Sequence, residues 1–119
     1  MSTPNSATIS AFIHAQVQAW NQRDKKAFLA AYRKIAPGKL TIEYVGRSAP
    51  ADGWAVLEQM WENTNAIVDI EEVLLSVNGS EAACHNINHM PSRDLKIHTV
   101  ELYAFDGDDV NVRYFINNN

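Results

Sequence analysis

Residues 95–116 read Leu95-Lys96-Ile97-His98-Thr99-Val100-Glu101-Leu102-Tyr103-Ala104-Phe105-Asp106-Gly107-Asp108-Asp109-Val110-Asn111-Val112-Arg113-Tyr114-Phe115-Ile116. Two runs rich in β-branched and aromatic residues flank an acidic, glycine-containing break, so the stretch is predicted to form two long strands joined by a turn. The break lacks the alternating ligands and terminal Glu of a calcium loop. Working back along the chain, residues 67–77 and 81–90 read as two more strands. They meet at Asn78-Gly79, a pair that tolerates positive φ at both positions. Residues 91–94, starting at Pro91, form the loop before Leu95. Four strands in succession with short connections predict an antiparallel meander.

The chain upstream of the meander has the other period. Ile9, Phe12, Ile13, Val17 and Trp20 recur at spacings of three and four, which predicts a helix over residues 6–22 with Asn5 or Ser6 as its cap and Gln16 on the apolar face. Asp24 is placed to cap a second helix over residues 25–33, with Phe28, Leu29 and Tyr32 inward. Pro37-Gly38 breaks the chain, and the alternating run from Leu40 to Val45 reads as a strand. Asp52 is placed to cap a third helix over residues 53–65, with Trp54, Leu57 and Trp61 as its stripe and Val56 and Met60 beside it. The order is α-α-β-α-β-β-β-β. Helices first and a meander last predict an α+β fold in which a curved antiparallel sheet wraps around the helices.

The 119 residues suit one domain over 1–119. Apolar residues make up 46% and charged residues 20%, a balance that favours a packed globular chain over a disordered one. The net charge of −4 leaves no basic excess to displace counterions, so nucleic acid is not an expected partner. No apolar run approaches the ~20 residues that span a bilayer, and the first residues lack a signal peptide's basic and apolar regions. A single cysteine, Cys84, cannot form an intrachain disulfide. A cytoplasmic protein with no membrane partner is the expectation.

Three phrases carry a family resemblance. They are Ala19-Trp20-Asn21-Gln22-Arg23-Asp24 leading into Ala27-Phe28-Leu29-Ala30-Ala31-Tyr32, then Leu40-Thr41-Ile42-Glu43-Tyr44 followed by Asp52-Gly53, then Val100 to Gly107 closing with Val112-Arg113-Tyr114-Phe115. In this order the chain resembles the nuclear transport factor 2-like superfamily, which includes ketosteroid isomerase and the SnoaL-like polyketide cyclases. The resemblance implies a cystatin-like cone with a pocket open at one end. It also implies homodimers formed through the outer face of the sheet.

Ketosteroid isomerase moves a proton between carbons beside a carbonyl, using an Asp base and an oxyanion hole of a Tyr and a protonated Asp. Matching the phrases puts Gln16 where that family has its first-helix Tyr, Tyr44 where it has its base, and Glu101 where it has the protonated Asp. One carboxyl of the set is therefore retained. The same matching turns His85, Ile87 and His89 inward with Tyr103, Arg113 and Phe115, beside Met60 and Trp61. Glu101 and Arg113, on neighbouring strands, are then expected to pair.

Register decides this site, because a one-residue slip exchanges the two faces of a strand. Val100, Leu102 and Ala104 form an apolar row opposite Glu101, and on hydrophobic pattern alone that row is the core. The family matching puts Glu101 inward, with the apolar row covered in a dimer. Both readings stay open on the sequence. His85 and His89 stand ~13 Å apart on one strand and do not share a metal ion, so no metal is expected. Cys84 reads as a buried structural thiol, and Arg47 as a solvated loop residue near the pocket mouth.

The function expected is that of a small SnoaL-like protein binding a small apolar molecule. As an enzyme it is expected to be an isomerase or lyase that transfers a proton without a cofactor. Glu101 is the acid or base, His85 a second proton carrier, and Tyr44 and Gln16 hydrogen-bond the ligand. Met60, Trp61, Ile87, His89, Tyr103, Arg113 and Phe115 complete the pocket. The alternative is a non-catalytic ligand-binding or dimerisation module.

Overall fold

A computed structural model describes residues 2–117. Helix α1 (Ser6–Asn21) is capped by Asn5, whose side chain accepts the Thr8 N–H at 2.8 Å. Helix α2 (Lys25–Ile35) is capped by Asp24, which accepts from Ala27 at 3.1 Å. Between them Arg23 adopts a left-handed φ of 60°. Its guanidinium offsets that cost by donating to the Trp20 and Val68 carbonyls and to Asp69 at 2.6 Å. Strand β1 (Leu40–Tyr44) and the two-residue β2 (Ala51–Asp52) precede helix α3 (Gly53–Thr64), capped by Asp52. Strands β3 (Asp69–Asn78), β4 (Glu81–Met90), β5 (Leu95–Asp106) and β6 (Asp109–Asn117) follow.

The six strands form one sheet in the order β2-β1-β6-β5-β4-β3. The meander β3 to β6 is antiparallel, whereas β1 joins β6 in parallel, so the sheet is mixed. A polypeptide that leaves β1, runs through α3 and returns four strands later reaches β1 from the same end, which makes that pairing parallel. The hairpin after β3 closes at Asn78↔Glu81, so Gly79 and Ser80 form its turn, one residue later than Asn78-Gly79 suggests. Gly79 and Gly107 both adopt a φ of 59°, the left-handed region that favours glycine.

The core lies between α1 and the concave face of the sheet. Ile9, Phe12, Ile13, Val17 and Trp20 of α1 are buried, as the helical spacing predicts. Trp20, Phe28 and Trp61 pack edge-on or tilted with ring centroids 5.2 to 5.5 Å apart, which ties α1, α2 and α3 together. The Trp20 indole donates to the Val68 carbonyl at 2.9 Å, so its one polar atom is satisfied inside. No helix among the described residues is long and apolar enough to cross a membrane.

Candidate functional site

The concave face is fixed by register. Glu101 lies opposite Cys84 on β4 and Tyr114 on β6, and directly paired residues project to the same face. That face also carries Thr99 and Tyr103 on β5, Asn86, Asn88 and Met90 on β4, and Val112 and Ile116 on β6. A cavity of about 290 Å³ opens there. Gln16 and Trp20 of α1, Phe28 and Tyr32 of α2, and Met60 and Thr64 of α3 line one side. Tyr44, Asn86, Asn88, Ile97, Thr99, Glu101, Tyr114 and Ile116 line the sheet side, with Arg47 from the loop after β1. Its size falls near the lower end of the ~300–1,000 Å³ typical of ligand pockets.

Glu101 is 6% exposed and accepts three hydrogen bonds. The Tyr103 hydroxyl donates to Oε1 at 2.7 Å, and Asn86 Nδ2 and Thr99 Oγ1 donate to Oε2 at 3.1 and 3.2 Å. Asn88 Nδ2 donates in turn to Thr99 Oγ1 at 3.1 Å, and the Cys84 thiol donates to Asn86 Oδ1 at 3.1 Å. A carboxylate offers about four acceptor positions, two on each oxygen. Both on Oε2 are taken, and one on Oε1 is left.

Burial lifts the Glu101 carboxyl above the ordinary carboxylate value, the three donors partly reverse this, and the charge of Glu72 adds to the rise. Burial and the nearby Glu101 carboxylate also raise Tyr44, keeping its phenol protonated as a donor. Tyr103 and Tyr114 are raised well above the usual phenol range, chiefly by burial. Tyr32, raised in the same way, hydrogen-bonds both. Burial pushes the Cys84 thiol up to about 12, so it is an inert structural thiol, not a nucleophile.

Of the residues singled out by sequence, Glu101, Tyr44, Gln16 and Met60 line the cavity. Tyr103 is buried and bonded to Glu101 from the side. Trp61 stands behind the lining, packed on Trp20 and Phe28. The inward placement of His85, Ile87, His89, Arg113 and Phe115 is corrected. All five project from the opposite face, because their partners on β5 are Lys96, His98, Val100 and Leu102, the row facing away from Glu101. His85 Nε2 lies 2.8 Å from His98 Nδ1, and His89 Nε2 lies 2.8 Å from Glu71. The Glu101–Arg113 pair does not form; Arg113 Nε donates to Glu43 at 3.2 Å, and its guanidinium covers the Phe115 ring.

The sequence held the signal that prevents this error. Counting outward from the turn at Asp106↔Asp109 pairs 105 with 110, 103 with 112 and 101 with 114. Parity through the turn therefore turns Tyr114 inward and Arg113 outward. The same count through the loop at 91–94 gives Cys84 and Asn86 as the inward residues of β4. Asn86, Asn88 and Tyr114 were missed, since polar residues at core positions break the hydrophobic alternation used to find a buried face, and Tyr32 was read as core and not as cavity lining.

No family profile matches the chain, and no curated protein matches it by sequence. Solved structures do match. A provisionally named ketosteroid isomerase from Kribbella flavida superposes with a TM-score of 0.76 at 17% identity, covering 98% of this chain and 82% of that one. An NTF2-like protein of unknown function from Burkholderia xenovorans gives a TM-score of 0.78 at 12% identity, covering 97% and 87%. The epoxide hydrolase/cyclase-like enzyme SalBIII, of pyran ring formation in the polyether salinomycin, gives 0.69 at 17% identity, covering 92% and 90%.

The fold is the nuclear transport factor 2-like cone. Three helices and a curved six-stranded sheet match these structures over nearly the whole of this chain. At such identities the likeness belongs to the fold, and the nuclear transport factor 2-like cone carries unrelated activities on one frame.

Proposed function

We propose that the protein binds a small, largely apolar carbonyl compound in the cone and acts on it as a cofactor-independent isomerase or related proton-transfer enzyme of the steroid delta-isomerase type. The observation that carries this is Glu101: a buried carboxyl of raised proton affinity, held by three donors, with one acceptor position left beside an apolar cavity. Raised affinity makes the carboxylate a stronger base than one in water. Its hydrogen bonds fix it in one orientation.

In this reading the free lone pair of Oε1 takes a proton from the carbon next to the ligand's carbonyl. Negative charge moves to the carbonyl oxygen, where the Gln16 amide and the Tyr44 hydroxyl donate to it. Glu101 then returns the proton to the carbon two positions further on, and the double bond shifts into conjugation. His85, on the outer face, has no part in this step. The experiment is direct. The chain is incubated with small and steroidal β,γ-unsaturated ketones, and the rise in conjugated-enone absorbance is followed. Turnover that Glu101→Gln abolishes supports the reading, and turnover that survives Glu101→Gln contradicts it.

A second reading, a non-catalytic binding or dimerisation module, rests on the outer face. Leu74, Val100 and Phe115 are 62%, 42% and 37% exposed there and lie in one row across the sheet. Exposed apolar patches of this kind mark contact surfaces. A homodimer through this face fits either reading. A cytoplasmic location accords with the single, unpaired cysteine. Sedimentation at rising concentration measures the dimer independently of turnover.

A further inference from the structure

We infer that the ligand of the cone is an amphiphilic carboxylate, with its carbonyl oxygen at Gln16, beside Glu101, and its carboxylate at Arg47. The inference rests on the cavity-binding reading above and names the ligand's class. Two side chains carry it.

The first is Gln16. It is 5% exposed, and its amide has no hydrogen-bond partner among the described residues. Among the described residues, every side-chain nitrogen or oxygen fully sealed from solvent does have a partner. The Gln16 amide therefore opens onto the cavity that it lines. An amide held in apolar surroundings without a partner is unfavourable, and a ligand's carbonyl or hydroxyl would supply the missing hydrogen bond. This makes the region around Gln16 and Glu101 the polar end of the site.

The second is Arg47. Among the described residues lining the cavity, Arg47 is the sole cation and Glu101 the sole carboxyl. Arg23 and Arg113 are paired with Asp69 and Glu43, and Arg33 covers the Trp54 ring at 4.6 Å. The Arg47 guanidinium has no such partner among the described residues. Its position is set by its backbone. The Arg47 and Ser48 N–H groups both donate to the Tyr44 carbonyl, at 2.9 and 3.0 Å, and Gly46 takes the turn's left-handed φ of 78°. Tyr44 thus lines the cavity and anchors the loop that brings Arg47 to it.

One planar guanidinium matches one carboxylate by two parallel hydrogen bonds. A phosphate dianion is served by more cations or by a helix N-terminus, and the lining offers neither. The rest of the lining includes Met60, Ile70, Met90 and Ile97, which suit an apolar body.

The test uses matched pairs. The full chain is titrated calorimetrically with ω-benzoyl alkanoic acids, from β-benzoylpropionate through benzoylbutyrate to benzoylvalerate. Each acid is compared with its primary amide, which keeps the size and removes the charge. The expected result is that an acid binds at least about tenfold more tightly than its amide, a difference of about 1.4 kcal/mol. Arg47→Ala removes that preference by weakening the acid far more than its amide, while Gln16→Leu weakens acid and amide together. Arg47 lies on an exposed loop, so its replacement leaves the fold intact. Amides that bind as tightly as acids, or a preference that survives Arg47→Ala, overturn the inference and leave the cavity-binding reading standing. Failure of every acid and every amide to bind overturns both.

Discussion

Across strands β3 to β6, the inner row Leu75, Cys84, Glu101 and Tyr114 lies one residue from the outer row Leu74, His85, Val100 and Phe115. The inner row and its neighbours Asn86, Thr99 and Tyr103 hold the polar side chains in a connected set, each donor matched to an acceptor. The outer row sets three apolar residues around one histidine and leaves them in contact with solvent. Hydrophobic patterning predicts the reverse arrangement. A sheet that serves only as a wall would bury Val100 and expose Glu101. Here the concave face lines a cavity, and polar groups sit inside at the cost of their desolvation, which hydrogen bonds offset.

The largest effect expected from breaking this contrast is chemical. Glu101→Gln keeps the shape of the side chain and removes its ability to take a proton, so turnover of a β,γ-unsaturated ketone should fall by roughly 100- to 10,000-fold. The next is mechanical. Val112, on the inner face, is fully buried, and Val112→Ala should cost about 2 kcal/mol in urea denaturation. Val100→Ala on the outer face should change stability by less than about 0.5 kcal/mol in dilute solution. A cost at Val100 that grows with protein concentration would instead reveal a second copy covering that face.

A third expectation follows from the direction of the Glu101 shift. Its folded-state value is raised above the ordinary 4.5, so the folded state favours the protonated form. The stability this contributes is fully present below pH 4.5 and is lost as pH rises through the folded value. Relative to Glu101→Gln, the wild type should therefore lose stability over that window, as read by denaturant midpoints across a pH series. A difference that stays constant with pH would contradict the burial argument. The smallest effect is at His85. Its ring meets His98 on the outer face, so His85→Ala should alter turnover by less than about twofold. A larger loss would mean that the chemistry is not confined to the concave face.

Much of the fold was legible in the sequence because its signals are local. Asn5, Asp24 and Asp52 cap the three helices, and the α1 stripe from Ile9 to Trp20 is buried at the spacing read from the chain. The parallel joining of β1 to β6 was not legible, because it depends on a long-range return of the chain and not on any turn. At the site, Glu101, Tyr44, Gln16 and Met60 were found and do share the cavity, whereas five further residues were put on the wrong face. The cause was one residue of parity. His85, Arg113 and Phe115 looked chemically apt, while Asn86 and Tyr114 follow from counting through the turns. Arg47 was passed over as a loop residue, since its meaning comes from being unpaired beside a cavity, and a sequence does not record pairing.

The central claim is that Glu101 is a buried carboxyl on the concave face with raised proton affinity. The direct measurement is its titration by carbon NMR on protein labelled at the glutamate carboxyls, assigned by comparison with Glu101→Gln. The account predicts one glutamate titrating above 4.5, absent from the variant. A Glu101 resonance that titrates at or below 4.5 would place the carboxyl in water or beside a cation and contradict the account.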